Sequence, residues 1–227
     1  MNLRITRLAL RTPPIIADLA GSWQRSLSSP WFLSSELSPV FWGEGDILMI
    51  DGSYRDPIRG YRFKGMLRSS AVDINDYGIL NEYRRTSTPF RFYPWGTDRP
   101  YWEVYIPGSL YRFAKDTPYT MPAEFELLGT EIISVEESKE LAIILDPEVS
   151  YTEGEAPGSW NIVATWLPMI TEGTITVIVE DEGENTDSAE GPLYYGSLRF
   201  TTTNITQPPV KATFIHNLSP YQKEIEL

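Results

Sequence analysis

The side chains able to do chemistry are few in kind. One histidine, His216, sits in the run ATFIHNL, and there is no cysteine. Serine-type nucleophilic catalysis would have to use this imidazole, yet no serine lies in the GxSxG context that sets a nucleophile on a tight strand-to-helix turn. A metal site built on it lacks the HxxxH or HExxH spacing that places two ligands on one helix face. His216 therefore reads as structural. Without cysteine there is no disulfide, thiolate zinc site, iron–sulfur cluster or cysteine nucleophile. Carboxylates are plentiful, and glycoside hydrolysis needs only two. Glu124 with Glu126 and Glu153 with Glu155 are the candidates. Two residues apart, the first pair shares one exposed strand face, and the second lies in a loop with no apolar cradle to raise a pKa. The segment Glu180–Glu190 (EDEGENTDSAE) could bind calcium but departs from DxDxDG spacing. Both groups read as solvated acidic surface, and the chain as a non-enzyme without metal or cofactor.

Two other groups could recognise a partner. Arg55, Arg59, Arg62, Lys64 and Arg68 would suit phosphate, but Asp46, Asp51 and Asp56 are interleaved and no Gly-rich loop accompanies them. They read as a solvated or inter-subunit charged face. Trp160, Trp166 and Tyr194, with Tyr151 and Tyr195, could stack on sugar rings if they line the outside of a β-sandwich. The competing reading puts the tryptophans in its core. Near the N-terminus Trp23, Trp31, Phe32, Phe41 and Trp42 are too many aromatics for a free tail, and read as packed on a neighbouring subunit or on the chain's own sheet.

The elements that must position these residues are mostly strands. Aromatics are 13% of 227 residues, and 18 prolines and 16 glycines punctuate the chain, which suits many short strands. Net charge is −12 and uneven. Residues 1–130 hold 15 Lys/Arg against 14 Asp/Glu, whereas residues 131–227 hold 4 against 17. That step predicts two units, 1–130 and an acidic 131–227, the latter repelling nucleic acid and anionic membrane. The opening MNLRITRLALRTPPIIADLAGS fails as a signal peptide, since Arg7, Arg11 and Pro13–Pro14 break its apolar run, and no window has membrane-span length. A soluble chain is expected.

In order, Leu3–Leu10 alternates as a strand, and the rest of residues 1–39 reads as an extended arm or long loop. Asp46–Ile50 and Tyr61–Leu67 read as strands, with Tyr54–Gly60 a charged loop between them. Asn75–Arg85 reads as a helix capped by Asp73 or Asn75. Pro89–Leu128 reads as a meander of Phe90–Tyr93, Tyr101–Ile106 and Ala123–Leu128, with Pro94, Pro100, Pro107 and Pro122 marking strand ends. Beyond residue 130 the pattern predicts Glu131–Val135, Leu141–Leu145, Trp160–Leu167, Thr174–Glu180, Leu193–Thr203, Val210–His216 and Tyr221–Glu226 as strands of an antiparallel β-sandwich. Glu180–Gly191 is expected to be a mobile surface loop, too long and charged for a tight hairpin.

Within the meander, PFRFYP, the aromatic strand ending YIPGSLYRF and the closing EFELLG resemble the C-terminal part of the β-domain in minor tail and distal tail proteins of long-tailed bacteriophages, the resemblance covering about residues 40–130. The resemblance implies a split-barrel-like N-terminal β domain with one short helix. It further implies a structural protein of the virion tail, assembled in the host cytoplasm, that forms a three- or six-fold homo-oligomeric ring in the tail tip or baseplate. Residues 1–130 would then make the ring and contact the tail tube, with Trp23, Trp31, Phe32, Trp42, Arg55 and Arg59 at interfaces. The acidic half would face outward or pack on other baseplate and hub proteins, with no direct nucleic-acid or membrane contact. The alternatives are a carbohydrate-binding adhesin module of a phage tail and, behind it, a carboxylate-dependent glycosidase.

Overall fold

The computed structural model describes residues 8–10, 12–41, 47–48, 54–55, 58–108, 120–156 and 158–227. The fold is mostly β with antiparallel sheets, and the chain divides into two compact units, residues 1–134 and 135–227.

The first unit opens with β1 (Leu8–Ala9), β2 (Ile15–Ala17), β3 (Gln24–Ser26) and β4 (Phe32–Phe41). A short ribbon, β5 (Ile47–Leu48) with β6 (Tyr54–Arg55), precedes the long β7 (Ile58–Asp73) and the helix α1 (Ile74–Thr86). Then come β8 (Phe90–Tyr93), β9 (Trp102–Tyr105), β10 (Thr120–Gly129) and β11 (Ile133–Ser134). One sheet runs β1-β4-β7-β10-β9-β8-β2-β3, and β11 continues along β7 where β10 leaves it. The three meander strands are thus neighbours. Period-two alternation turns Phe63, Leu67, Trp102, Val104, Phe125 and Leu127 inward, and Arg62, Lys64, Glu103 and Glu126 to the other face. Gly65 leaves room for the Phe63 ring, which folds back over it and stacks on Trp102 at 4.5 Å. Each such large apolar side chain, once buried, contributes about 1.5–3 kcal/mol.

α1 starts where the sequence predicts a cap, with the Asp73 carboxyl accepting from the Asn75 amide at 2.8 Å. It buries Leu80, and it ends at Ser87 in a left-handed conformation.

Three expectations for this unit change. Phe32–Phe41, expected within an arm or loop, is a ten-residue strand, because Leu33, Ser35 and Leu37 alternate inward despite the serines and Pro39. Pro122 lies inside β10, not at its end, and the register shifts between Met121 and Ala123, so a bulge absorbs its missing N–H. Ile133–Ser134, expected in the acidic domain, pairs with Tyr61 and Gly60 of β7. Leu3–Arg7 lies outside the described residues.

The second unit contains α2 (Glu137–Glu140), β12 (Ile144–Glu153), β13 (Trp160–Pro168), β14 (Thr174–Asp181), β15 (Thr186–Pro192), a single 3-10 turn (Leu193–Tyr195), β16 (Ser197–Thr201), β17 (Pro209–His216) and β18 (Gln222–Glu226). Two sheets, β12-β13-β16 and β15-β14-β17-β18, make a sandwich. Its core joins Ile162, Ala164 and Trp166 of β13 to Val177 of β14 and Phe214 of β17. The Trp166 and Phe214 rings meet edge to face with centroids 6.1 Å apart.

Glu180–Gly191 is not a loop. β14 and β15 pair from Thr174↔Pro192 to Glu180↔Thr186, closing in a short turn. The turn is built on Asp181, whose buried carboxyl accepts from the amides of Gly183 (2.9 Å), Asn185 (3.0 Å) and Thr206 (3.3 Å) and from the Asn185 side chain. Carboxylates counted as repelling charge therefore include the one that organises the turn. The expected strand Leu193–Thr203 is split, because Gly196 adopts φ +66 and ends the 3-10 turn before β16 begins.

Candidate functional site

The aromatics expected at an interface separate into two groups. Trp31 is 2% exposed and packs on Phe125 with ring centroids 6.2 Å apart, so it belongs to the core of its own unit and not to a surface. Trp23 is 40% exposed. It sits at the end of the β2–β3 turn, which Gly21 enters at φ +72 and Asp18 holds by accepting from Ser22 Oγ (2.5 Å) and the Trp23 amide (3.0 Å). These bonds, the one from Ser22 foremost, keep the Asp18 carboxyl below its ordinary range. The indole leans on Tyr83 of α1, and Tyr83 on Phe90, so the exposed ring is carried on a fixed stack.

Phe32 is exposed on the outer face of β4, opposite Arg68 of β7. At the other end of the same strand pair, Phe41 and Ile58 face each other in register and are both exposed. Sequence reasoning missed Ile58, because Tyr54–Gly60 reads as a charged loop. Trp42 and the Arg55 side chain lie outside the described residues, and Arg59 is exposed on β7.

Two of the basic residues are engaged by carboxylates of neighbouring strands. Arg68 pairs with Glu124 at 2.6 Å and Lys64 with Glu36 at 3.9 Å, so the outer face of β4, β7 and β10 carries matched charges in ladder order. Exposed pairs of this kind contribute about 0–1 kcal/mol each. They also engage Glu124, half of one candidate carboxylate pair. Glu153 and Glu155 are exposed at the β12–β13 connection.

In the second unit Trp166 is 5% exposed, and its Nε1–H donates to the Leu193 carbonyl at 2.7 Å. Both its ring face and its polar edge are used internally, which removes it as a glycan contact. Trp160 is half-buried against Tyr151, and Tyr194 is half-buried beside Tyr195, which is 65% exposed. His216 is buried with both ring nitrogens occupied. Nε2 lies 3.1 Å from the Glu172 carbonyl, an acceptor only, so Nε2 carries the proton and Nδ1 accepts from Ser219 Oγ at 2.9 Å. Burial pushes its pKa below the usual value, with the Glu172 carbonyl acting against the shift. Among the described residues no three His, Asp or Glu side chains gather closely enough to hold a metal ion, and no helix is long and apolar enough to cross a membrane.

No family model matches the chain, and no curated protein or solved structure shows significant similarity to it.

Proposed function

We propose that this protein is a structural component of a bacteriophage tail tip or baseplate, in which copies of the chain form a homo-oligomeric ring joining the tail tube to distal baseplate or fibre proteins. The observation that carries this reading is the PFRFYP, YIPGSLYRF and EFELLG pattern, with PFRFYP on β8, EFELLG on β10, and between them β9, the aromatic strand that ends at the Tyr105 opening YIPGSLYRF. Further support comes from apolar side chains exposed at the surface of the first unit: Trp23 on its aromatic stack, Phe32, and the Phe41–Ile58 pair. Ring closure needs two different patches per subunit that meet head to tail, and these residues lie at both ends of the β4–β7 pair as well as on the β2–β3 turn. Light scattering coupled to size-exclusion chromatography, with negative-stain imaging, tests the reading. Closed rings of three or six copies, alone or with tail-tube protein, are the expected outcome; a chain that stays monomeric in both settings overturns it.

A further inference from the structure

The two lateral sides of the β-sandwich are finished differently. On one side the sheets are tied together, since Asp187 of β15 accepts from the amides of Thr203 and Asn204 just after β16. Burial acts to raise the Asp187 pKa, but these bonds outweigh it and hold the carboxyl below its ordinary range. On the other side the edge strands β12 and β18 are not joined in a ladder. A cleft of about 390 Å³ borders both strands, lined by Pro147–Ser150 of β12, Val163 and Thr165 of β13, and Ile225–Leu227 at the end of β18.

The two strands bordering the cleft guard their edges unequally. β18 reads QKEIE, and its Glu224 is bridged to Lys211 at 3.1 Å, so its edge is blunted by charge. β12 is interrupted at Asp146–Pro147, where Asp146 takes φ +46 and the register shifts between Leu145 and Glu148. Beyond this bulge Glu148–Glu153 (EVSYTE) runs on with neither proline nor lysine, pairs among the described residues only with β13, and is exposed along most of its length. An extended segment of that kind presents a row of unpaired N–H and C=O groups, a template for another strand.

Register defines what such a strand must carry. Ser150 pairs with Val163 and Glu148 with Thr165, so these four share the face turned away from the core, while Val149 and Tyr151 share the face of Ala164 and Ile162. A residue placed opposite Glu148 has its Cβ about 5 Å away, in direct cross-strand contact. Glu226 lies on the far wall, where Lys211 of β17 already stands opposite it in register; Glu148 makes no ion pair among the described residues, and the lining holds no cation. We infer that the free edge of β12 is a strand-accepting site for an extended segment of a partner protein, in which Lys or Arg alternates with apolar residues. The basic position meets Glu148, and the apolar ones meet Val149 and Tyr151. This inference does not depend on ring formation.

The test is fluorescence anisotropy of the full chain with a labelled short peptide of alternating lysine and valine. Saturable binding is expected, weakened about tenfold or more in the Glu148→Lys variant and by raised salt. Methylating the peptide's amides on alternate residues separates ladder pairing from adsorption: one phase abolishes binding and the other leaves it intact. This arm needs no protein variant, so a misfolded variant does not blunt the test. Equal binding of a lysine–glycine peptide of the same charge, indifference to amide methylation, or no binding at all overturns the proposal. Self-association of the chain through β12, competing with the peptide, assigns the edge to a second copy and overturns the partner assignment.

Discussion

Asp76 receives Ser29 twice: the Ser29 amide donates to its carboxyl at 2.8 Å and the Ser29 hydroxyl at 2.7 Å, and the same hydroxyl accepts from the Asp73 amide at 2.9 Å. Asp76 lies in the first turn of α1, where negative charge is favoured by the helix dipole, and it is fully buried. The segment between β3 and β4 is thereby fastened to the start of the helix. Ser29→Ala removes both hydroxyl bonds and leaves the Asp73 amide and one carboxyl oxygen with fewer partners. A loss of about 1–3 kcal/mol is expected. Urea unfolding followed by tryptophan fluorescence measures it, and an unchanged midpoint would remove the clasp from the account of stability.

Trp166 separates packing from hydrogen bonding. Trp166→Phe keeps a ring against Phe214 but takes the shorter of two donors from the Leu193 carbonyl, leaving the Gly196 amide at 3.3 Å, for an expected loss of about 1 kcal/mol. Trp166→Ala adds a cavity at the centre of the sandwich and costs about 3–5 kcal/mol. If the residue instead served an external ligand, the alanine variant would retain nearly full stability in calorimetry.

His216 makes the second unit sensitive to mild acid. Its folded pKa is depressed below the ordinary value of 6.5, so the unfolded chain takes up a proton before the folded one does. The stability that the neutral, buried imidazole contributes is fully present above about pH 6.5 and is lost as pH falls through the lower folded value. Denaturation midpoints between pH 7.5 and pH 5 should decline in the wild type and decline less in His216→Gln. Parallel slopes for the two proteins would exclude the imidazole as the source.

Gly60 is where β11 meets β7. A Cβ built there would stand 2.2 Å from the Ile133 carbonyl oxygen, a backbone atom held by strand pairing. Gly60→Ala should push β11 away at a cost of about 1–3 kcal/mol and speed amide exchange at Ile133 and Ser134. Gly78→Ala, with nothing within 4 Å of the added atom, serves as the control and should stabilise α1 by roughly 0.5–1 kcal/mol.

Periodicity and caps made much of this fold readable. β8, β9 and the sandwich strands β13, β14 and β17 announce themselves by alternation between proline and glycine stops, and α1 by Asp73 followed by apolar residues spaced three and four apart. What escaped had its cause outside the local pattern. β4 contains five polar or breaking residues, Ser34, Ser35, Glu36, Ser38 and Pro39, and becomes a strand because β7 pairs along its whole length. β15 is acidic and glycine-containing, and pairing with β14 together with the Asp181 turn overrides its weak propensity. Surface function was harder to read than structure. An exposed tryptophan and a core tryptophan look alike in sequence, and only packing separates Trp23 from Trp31.

The β2–β3 hairpin also bears on the order in which the chain is completed. Ile15–Ala17 and Gln24–Ser26 are close in sequence and can pair as soon as they exist, but the far side of β2 finds its partner in β8, with Ile16 opposite Phe92. Closing that long loop costs entropy that is recovered only when the two strands meet. During synthesis from the N-terminus, β4 and β7 therefore emerge before the hairpin can dock, and Ile16 lacks its partner until β8 has emerged. Any nascent chain halted short of Tyr93 is left with an unpaired strand and an apolar face open to chaperones or to other unfinished copies.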